Sequence, residues 1–275
     1  RLLEEVADLH GVPEGAYNIR ANGQMAGRNT TANIDITTKT DKPGIDIRIK
    51  AGTKHESVHI PVVLSASGLK EVVYNDFYIG DDADVVIVAG CGIHNCGVQD
   101  SEHDGIHRFF VGKNAKVKYV EKHYGEGDGE GKRLLNPVSE VYMEENSLME
   151  MEMVQIKGVD STNRTNKAVL AAGAKLLVRE RLLTHGDQVA ESTYDVELNG
   201  DGSSADVVSR SVAKDHSKQI FKIVAVPGLV ADNIDAALIH EAAIGKIAGE
   251  QIVKLMTLGL TEAEAEAQIV NGFLK

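Results

Sequence analysis

The chain of 275 residues is long enough to bury a substantial core without disulfide staples, and 29 basic against 41 acidic residues give it a formal net charge of −12. That balance excludes nucleic acid and anionic membranes as its main partners, because both reward basic surfaces. Hydrophobic residues make up 43% and charged residues 25%, a globular composition, and two cysteines cannot build a disulfide framework, so a reducing, cytoplasmic setting is expected.

At the start, Leu2, Leu3, Val6 and Leu9 form an apolar face at helical spacing, stopped by Gly11 and Pro13. The segment lacks the basic start and apolar run of a signal peptide, and no stretch of the chain reaches the roughly 18 apolar residues of a membrane span. Residues 1–30 are read as a helical cap and linker. An internal repeat then dominates, with copies DADVVIVAG at Asp82, NAKVKYVEK at Asn114, NSLMEMEMV at Asn146, GAKLLVRER at Gly173, SADVVSRSV at Ser204 and NIDAALIH at Asn233. Their second residues, Ala83, Ala115, Ser147, Ala174, Ala205 and Ile234, are spaced 32, 32, 27, 31 and 29 apart. Inside the copies, pairs such as Val117 and Tyr119 or Met149 and Met151 alternate at strand period. Between them lie Gly, Asn and Asp clusters that read as polar linkers, without the crossover helix a βαβ fold requires. A mainly β chain of stacked parallel coils, a β-helix over residues 31–239, is expected; a β-sandwich is the alternative.

Residues 240–275 read as helical. Ile252, Val253, Leu255 and Met256 share one side of a helix that stops at Gly259, and Thr261 with Glu264 forms a capping box opening a second helix that holds Ala265, Ile269 and Val270. This hairpin either covers the last coil or is offered to a partner.

Several familiar motifs fail. GEGDGEGKR at Gly125 puts five residues between Gly125 and Gly131 and an arginine where a phosphate loop needs a hydroxyl, so it reads as a flexible acidic turn. HEAAI at His240 lacks the second histidine of a zincin, and no nucleophile elbow occurs. What remains is Cys91, His94, Cys96, His103 and His107, five thiol and imidazole side chains within 17 positions. Such donors suit zinc, iron or iron–sulfur chemistry, and thiolates also carry sulfur, although the spacing matches no zinc finger. The plainer reading makes Cys91 a core residue of a strand ending at Gly90. His240 and Glu241, after the alternating Ala236–Ile239, are a second candidate. Neighbours on a strand point to opposite faces, so a structural role beside Lys246 competes with a ligand role.

The C-terminal VPGLVADNIDAALIHEAAIGKIAGEQIVKLMTLGLTEAEAEAQIVNGFL resembles the end of the SufB/SufD family, the scaffolds of Suf iron–sulfur cluster assembly, and AGCGIHNCGVQDSEHDGIHRFFVGKNAKVKYVEKHYGEG resembles its central region. The resemblance implies a right-handed parallel β-helix with terminal helices, a non-enzymatic scaffold that dimerises through the β-helix and binds a SufC-type ABC ATPase through its C-terminal helices. It implies a transient iron–sulfur cluster and iron, with zinc a further option from the thiol and imidazole donors. His240 and Glu241 would serve the cluster at the dimer interface, Cys91 would accept and transfer sulfur, and His103 on the Ser-x-His position would be a ligand. Cys96, His94 and His107 would transfer sulfur or add ligands, and Gln251, Lys254, Leu255, Leu258, Glu264 and Phe273 would meet the ATPase. A homodimer, or a pair with a second SufB/SufD-like chain, is expected, with partner ATP hydrolysis moving the two subunits. One departure is that SKQIFKIVAVPGL runs through Phe221 and Pro227 without the family's cysteine and reads about one coil short. The rival expectation is a mononuclear metalloenzyme built on Cys91, His94 and His103.

Overall fold

A computed structural model describes residues 2–7, 11, 13–227, 237–246 and 249–274. The alternation read in the sequence becomes alternate burial along strand after strand, each turning one face inward. One sheet holds β1 (Ala16–Ala21), β2 (Gln24–Asn29), β5 (Lys54–Leu64), β7 (Asp84–His94), β9 (Lys116–Glu126), β12 (Leu148–Lys157), β14 (Lys175–Thr184), β16 (Ser204–Ala213) and β18 (Ala237–Lys246). The other holds β3 (Ile34–Thr38), β4 (Gly44–Ile49), β6 (Lys70–Ile79), β8 (Ser101–Val111), β10 (Arg133–Leu135), β11 (Val138–Met143), β13 (Ser161–Leu170), β15 (Val189–Leu198) and β17 (Lys218–Pro227). From β4 onward each coil gives one strand to each sheet, with β10 and β11 sharing one strand position between β8 and β13, and stacked strands run parallel. The chain is therefore a β-helix flattened into two facing sheets. Val85, Ile87, Phe109, Tyr119, Met149, Leu176 and Val196 are among the side chains that fill the space between them.

The repeat has a physical basis at one corner of the coil. Asp82, Asn114 and Asn146 adopt φ of 59°, 56° and 58°, and Gly173 and Gly202 take 67° and 69°. Asn, Asp and Gly tolerate this left-handed conformation, which turns the chain from one sheet into the other. The following residues, Ala83, Ala115, Ser147, Ala174 and Ser203, are buried at the turn, and each N–H donates to the carbonyl three residues back at 3.1–3.3 Å. The fifth copy is thus framed on Gly202 and Ser203, two residues before the expected Ser204 and Ala205. The start of the sixth, at Asn233, lies outside the described residues.

The polar linkers expected between copies are in fact the second strand of every coil. STNRTNKAVL of β13 and SEHDGIHRFFV of β8 hide their strand character because the inward positions carry Thr162, Arg164, Ser101 and His103 where a core strand usually carries apolar residues. Both ends also differ from expectation. The first helix, α1 (Leu2–Ala7), lies on the outer face of β5, β7 and β9, not over the first coil. The antiparallel pairs β1–β2 and β3–β4 stand at that end instead. At the other end β18 pairs with β16 over its whole length, so the expected boundary at 239/240 falls inside a strand and the helical part starts at Gly249. Strand β18 follows β16 directly in the stack, and the stretch that reads one coil short interrupts no ladder.

The expected helical hairpin is present as α2 (Gly249–Met256) and α3 (Glu262–Leu274). Gly259 ends the first at φ 96°, and Thr261 Oγ1 and N both donate to Glu264 at 2.8 Å while Glu264 N donates back to Thr261 Oγ1 at 3.3 Å. Helix α3 packs on β16, where Lys214 pairs with Glu266. No helix among the described residues is long and apolar enough to cross a membrane.

Candidate functional site

Inward alternation carries polar side chains into part of the column. They are His103 and His107 on β8, Glu121 and His123 on β9, Arg164 on β13 and Glu180 on β14, all buried. Arg164 reaches across from one sheet to the other. Its Nη1 donates to Glu121 Oε1 at 2.6 Å, its Nη2 lies 3.3 Å from His123 Nδ1 and its Nε 3.6 Å from Glu180 Oε1. Ser192 and Ser209 donate to the two oxygens of Glu180 at 2.6 and 2.7 Å, so the buried charges are hydrogen-bonded as well as paired.

Beside this network is a small cavity of about 20 Å³, room for one water-sized group, lined by Cys91, His103, Gly105, His107, Glu121 and His123 with the apolar wall of Ile60 and Val62. Two features open it. Gly105 has no side chain, and a Cβ there would come within 3.1 Å of His107 Nε2 and 3.4 Å of His103 Nε2. The neighbouring strand is also broken at Asn136–Pro137, between β10 and β11, so no backbone pairs with Gly105 from that side.

The hydrogen bonds assign the imidazole tautomers. Tyr119 donates to Glu121 Oε2 at 2.6 Å, so its oxygen accepts from His107 Nδ1–H at 2.8 Å. Glu71 Oε1 accepts from His103 Nδ1–H at 3.0 Å, and Arg20 Nη2 donates to the other Glu71 oxygen at 3.1 Å. His107 therefore turns a bare Nε2 toward the space over Gly105, and the Nε2 of His103 faces the same space. Burial, opposed by the Glu121 charge, pushes the pKa of His107 down to about 4, and the same two effects bring His123 to about 4, so both are neutral at pH 7. Burial works against ionised Glu121, but Arg164 and the histidines outweigh it and hold its pKa far below the carboxylate range. Burial, aided by Glu71 and Glu121, pushes the Cys91 thiol well above its ordinary value.

The motif around Cys91 follows from its place on β7, which runs to His94 and does not stop at Gly90. Cys91 faces inward. A Cβ on Gly90 would meet Val6 O at 2.4 Å, and one on Gly92 would meet Leu2 and Val6, so the flanking glycines let α1 lie directly on the strand.

Of the five residues singled out as a cluster, the structure brings Cys91, His103 and His107 together at the cavity. It separates His94 and Cys96 from them. Three residues from Cys91 on a strand, His94 turns to the opposite face, where its Nε2 lies 3.0 Å from Cys96 Sγ. The expected mononuclear site of Cys91, His94 and His103 is therefore not assembled. Among the described residues no three His, Cys, Asp or Glu side chains form a set able to hold a metal ion. His240 and Glu241 lie within β18, beside Val207 and Val208 of β16, not after its end as expected; their side chains lie outside the described ones. Gln251, Lys254 and Leu258 are exposed, Leu255 is half-buried and Glu264 is engaged in its capping box, while the Phe273 side chain lies outside the described ones.

Glu121, His123, Arg164 and Glu71 were not singled out in the sequence. A signal for the first two existed, because extending the alternation Val117, Tyr119 by two steps puts both on the inner face. Arg164 gave none, since its strand reads as a linker.

Comparison with known proteins places these features in context. The profile described as SUF system FeS cluster assembly, SufBD core domain, matches residues 77–224, just over half of the chain. The chain is 27% identical over 232 residues to an iron–sulfur cluster assembly SufBD family protein homologue of Methanothermobacter thermautotrophicus, covering 74% of this chain and 55% of that protein. It is 29% identical over 265 residues to a SufBD family protein of Archaeoglobus fulgidus, with coverages of 86% and 69%, and 25% identical over 297 residues to one of Pyrococcus horikoshii, with coverages of 98% and 84%. The chain thus spans little more than half the length of the first of these relatives.

Proposed function

The chain belongs to the SufBD core-domain family of the SUF iron–sulfur cluster assembly system, and on that premise we propose that it is a scaffold that holds or conveys iron and sulfide. The observation that carries this reading is the internal cavity, where one thiol and the Nε2 atoms of two imidazoles meet beside a buried ion-pair network. A thiol among imidazoles suits a sulfide or bound-sulfur guest, and iron would need ligands from a second chain as well. The cavity admits one atom-sized guest, as sulfide or a bound sulfur is. Cys91 must lose its proton to act, which burial and the nearby carboxylates Glu71 and Glu121 oppose.

Two partner surfaces belong to the proposal. Strands β17 and β18 end their sheets, and β17 leaves Ile220, Val224 and Val226 exposed, with Ile239 exposed on β18. An open, apolar sheet end favours a second copy or a second SufB/SufD-like chain, which would bring His240 and Glu241 of the last strand to an interface. The α2–α3 hairpin, with Leu258, Met256 and Val253 exposed, is the proposed seat of a SufC-type ATPase. Chemistry by the chain itself is not part of this reading; ATP hydrolysis by the partner would bias two arrangements of the scaffold.

Anaerobic reconstitution with ferrous iron and inorganic sulfide tests it. Cluster absorption should form with the full chain and fall several-fold in Cys91→Ser and in His103→Ala. Undiminished absorption in both variants, shown folded by circular dichroism, would remove the cavity from the assignment.

A further inference from the structure

Along one inward row of the sheet that ends in β17, polar side chains stand in register: Asn75, His107, Ser139, Asn166 and Tyr194, one from each of β6, β8, β11, β13 and β15. The first cavity lies at His107. A second, of about 10 Å³, lies further along the row. Ser139, Asn166 and Tyr194 form its polar side, and Met151, Leu176 and Val178 of the facing sheet stand across from them. That volume is about the least that admits one water molecule.

The three polar side chains are 1%, 6% and 2% exposed, and Ser139 Oγ, Asn166 Oδ1 and Tyr194 OH find no partner at hydrogen-bond distance among the described residues. Buried polar atoms are nearly always hydrogen-bonded, so three bare ones around a single small space call for a guest. Their chemistry indicates which. Asn166 Nδ2 donates to Thr193 O at 3.2 Å, which leaves Oδ1 as the free end of the amide, an acceptor. Burial and the charge of Glu180 hold the Tyr194 phenol protonated, so it has a proton to give. Ser139 can give a proton or take one. A soft guest would find no thiol or imidazole here, and a cation would meet three neutral side chains. Lys167 and Asp195 also border the space, but alternation turns their side chains to the outer face of their strands. The short side chain of Ser139, between His107 and Asn166 in the row, is what leaves room.

We propose that this second cavity is a site for one internal water molecule, which accepts from Tyr194 OH, donates to Asn166 Oδ1 and shares a hydrogen bond with Ser139 Oγ. The water ties β11, β13 and β15 together through their side chains, next to a core whose contacts are otherwise apolar. Tyr194 also interacts with Glu180, so the water joins the Arg164 network at its far end. The site stands whether or not the first cavity carries sulfur.

A high-resolution crystal structure of the full chain tests it. One density peak is expected at hydrogen-bond distance from all three atoms. The peak should vanish in Ser139→Val, whose methyl groups replace the hydroxyl and take up the space. In solution, magnetic relaxation dispersion of the water deuterons should count one long-lived internal water fewer in Ser139→Val than in the wild type. A cavity empty in wild-type density, or one that takes up xenon under pressure, would overturn the proposal. Ser139 Oγ bonded directly to Asn166 Oδ1 with no peak between them would do the same, as would equal water counts in wild type and Ser139→Val. The wild-type density and the xenon measurement need no variant, so they decide the matter even where Ser139→Val fails to fold.

Discussion

Arg164 is the residue around which the interior is organised. It is buried between Glu121 and Glu180, and a single guanidinium serves carboxylates from two different coils of the facing sheet. The histidines around it set a pH limit on stability. His107 and His123 have folded-state pKa values of about 4 against 6.5 for the exposed ring, so the unfolded chain takes up protons first as pH falls. Stability is therefore full above about pH 6.5 and declines toward pH 4, by about 3 kcal/mol per ring at the lower end, from roughly 1.4 kcal/mol for each pKa unit. Urea midpoints measured from pH 7.5 to 4 should show this slope, and His107→Gln should flatten it while lowering the midpoint at pH 7, because Tyr119 loses its donor. A slope unchanged by the substitution would mean that His107 takes up its proton equally readily in the folded and the unfolded chain.

At the scale of elements, strands and helices report through different signals. The strands of the β16 sheet carry apolar residues at the inward positions, and the corner turns mark their starts with Asn, Asp or Gly, so they are legible as a repeat. Their partners in the β17 sheet place polar residues such as Asn75, Ser101, His103, Thr162 and Arg164 at several inward positions, which hides them until the stacking is known. The α2–α3 hairpin is read correctly down to its capping box because a cap is local chemistry, three residues from end to end. Thr261→Ala removes the two bonds of the threonine hydroxyl in that box, keeping the backbone N–H to Glu264, and should cost α3 about 1 kcal/mol. Amide hydrogen exchange is the suitable measurement. The α3 amides should exchange roughly fivefold faster, with β12–β16 unaffected; uniform loosening would mean that α3 unfolds only with the column.

For the whole molecule, the column has two unlike ends. Antiparallel pairs β1–β2 and β3–β4 stand at one, while β17 and β18 end their sheets at the other with apolar side chains in solvent. Strands that add coil upon coil leave an unpaired edge wherever the stack stops, and an unprotected edge invites pairing. Sedimentation of the full chain should give a dimer, and Val224→Lys, which puts a charge among Val226 and Ile220, should weaken it at least tenfold, about 1.4 kcal/mol. A wild-type monomer at tens of micromolar, or a dimer indifferent to the lysine, would place the contact elsewhere.

Alternation and turn chemistry act between near neighbours in sequence, so the coil period, the mainly β class and the C-terminal hairpin were all written in the residues themselves. So was the concentration of thiols and imidazoles between Cys91 and His107. Which of these meet was decided by stacking. Cys91, His103, His107 and His123 share a cavity because one coil places residues some 32 positions apart side by side. His94, three residues from Cys91, faces away because a strand sends odd and even residues to opposite sides. Arg164 owes its role entirely to tertiary structure. A charge buried in a β-column is tolerable only where another coil delivers its counter-charge, and nothing local to residue 164 announces that partner.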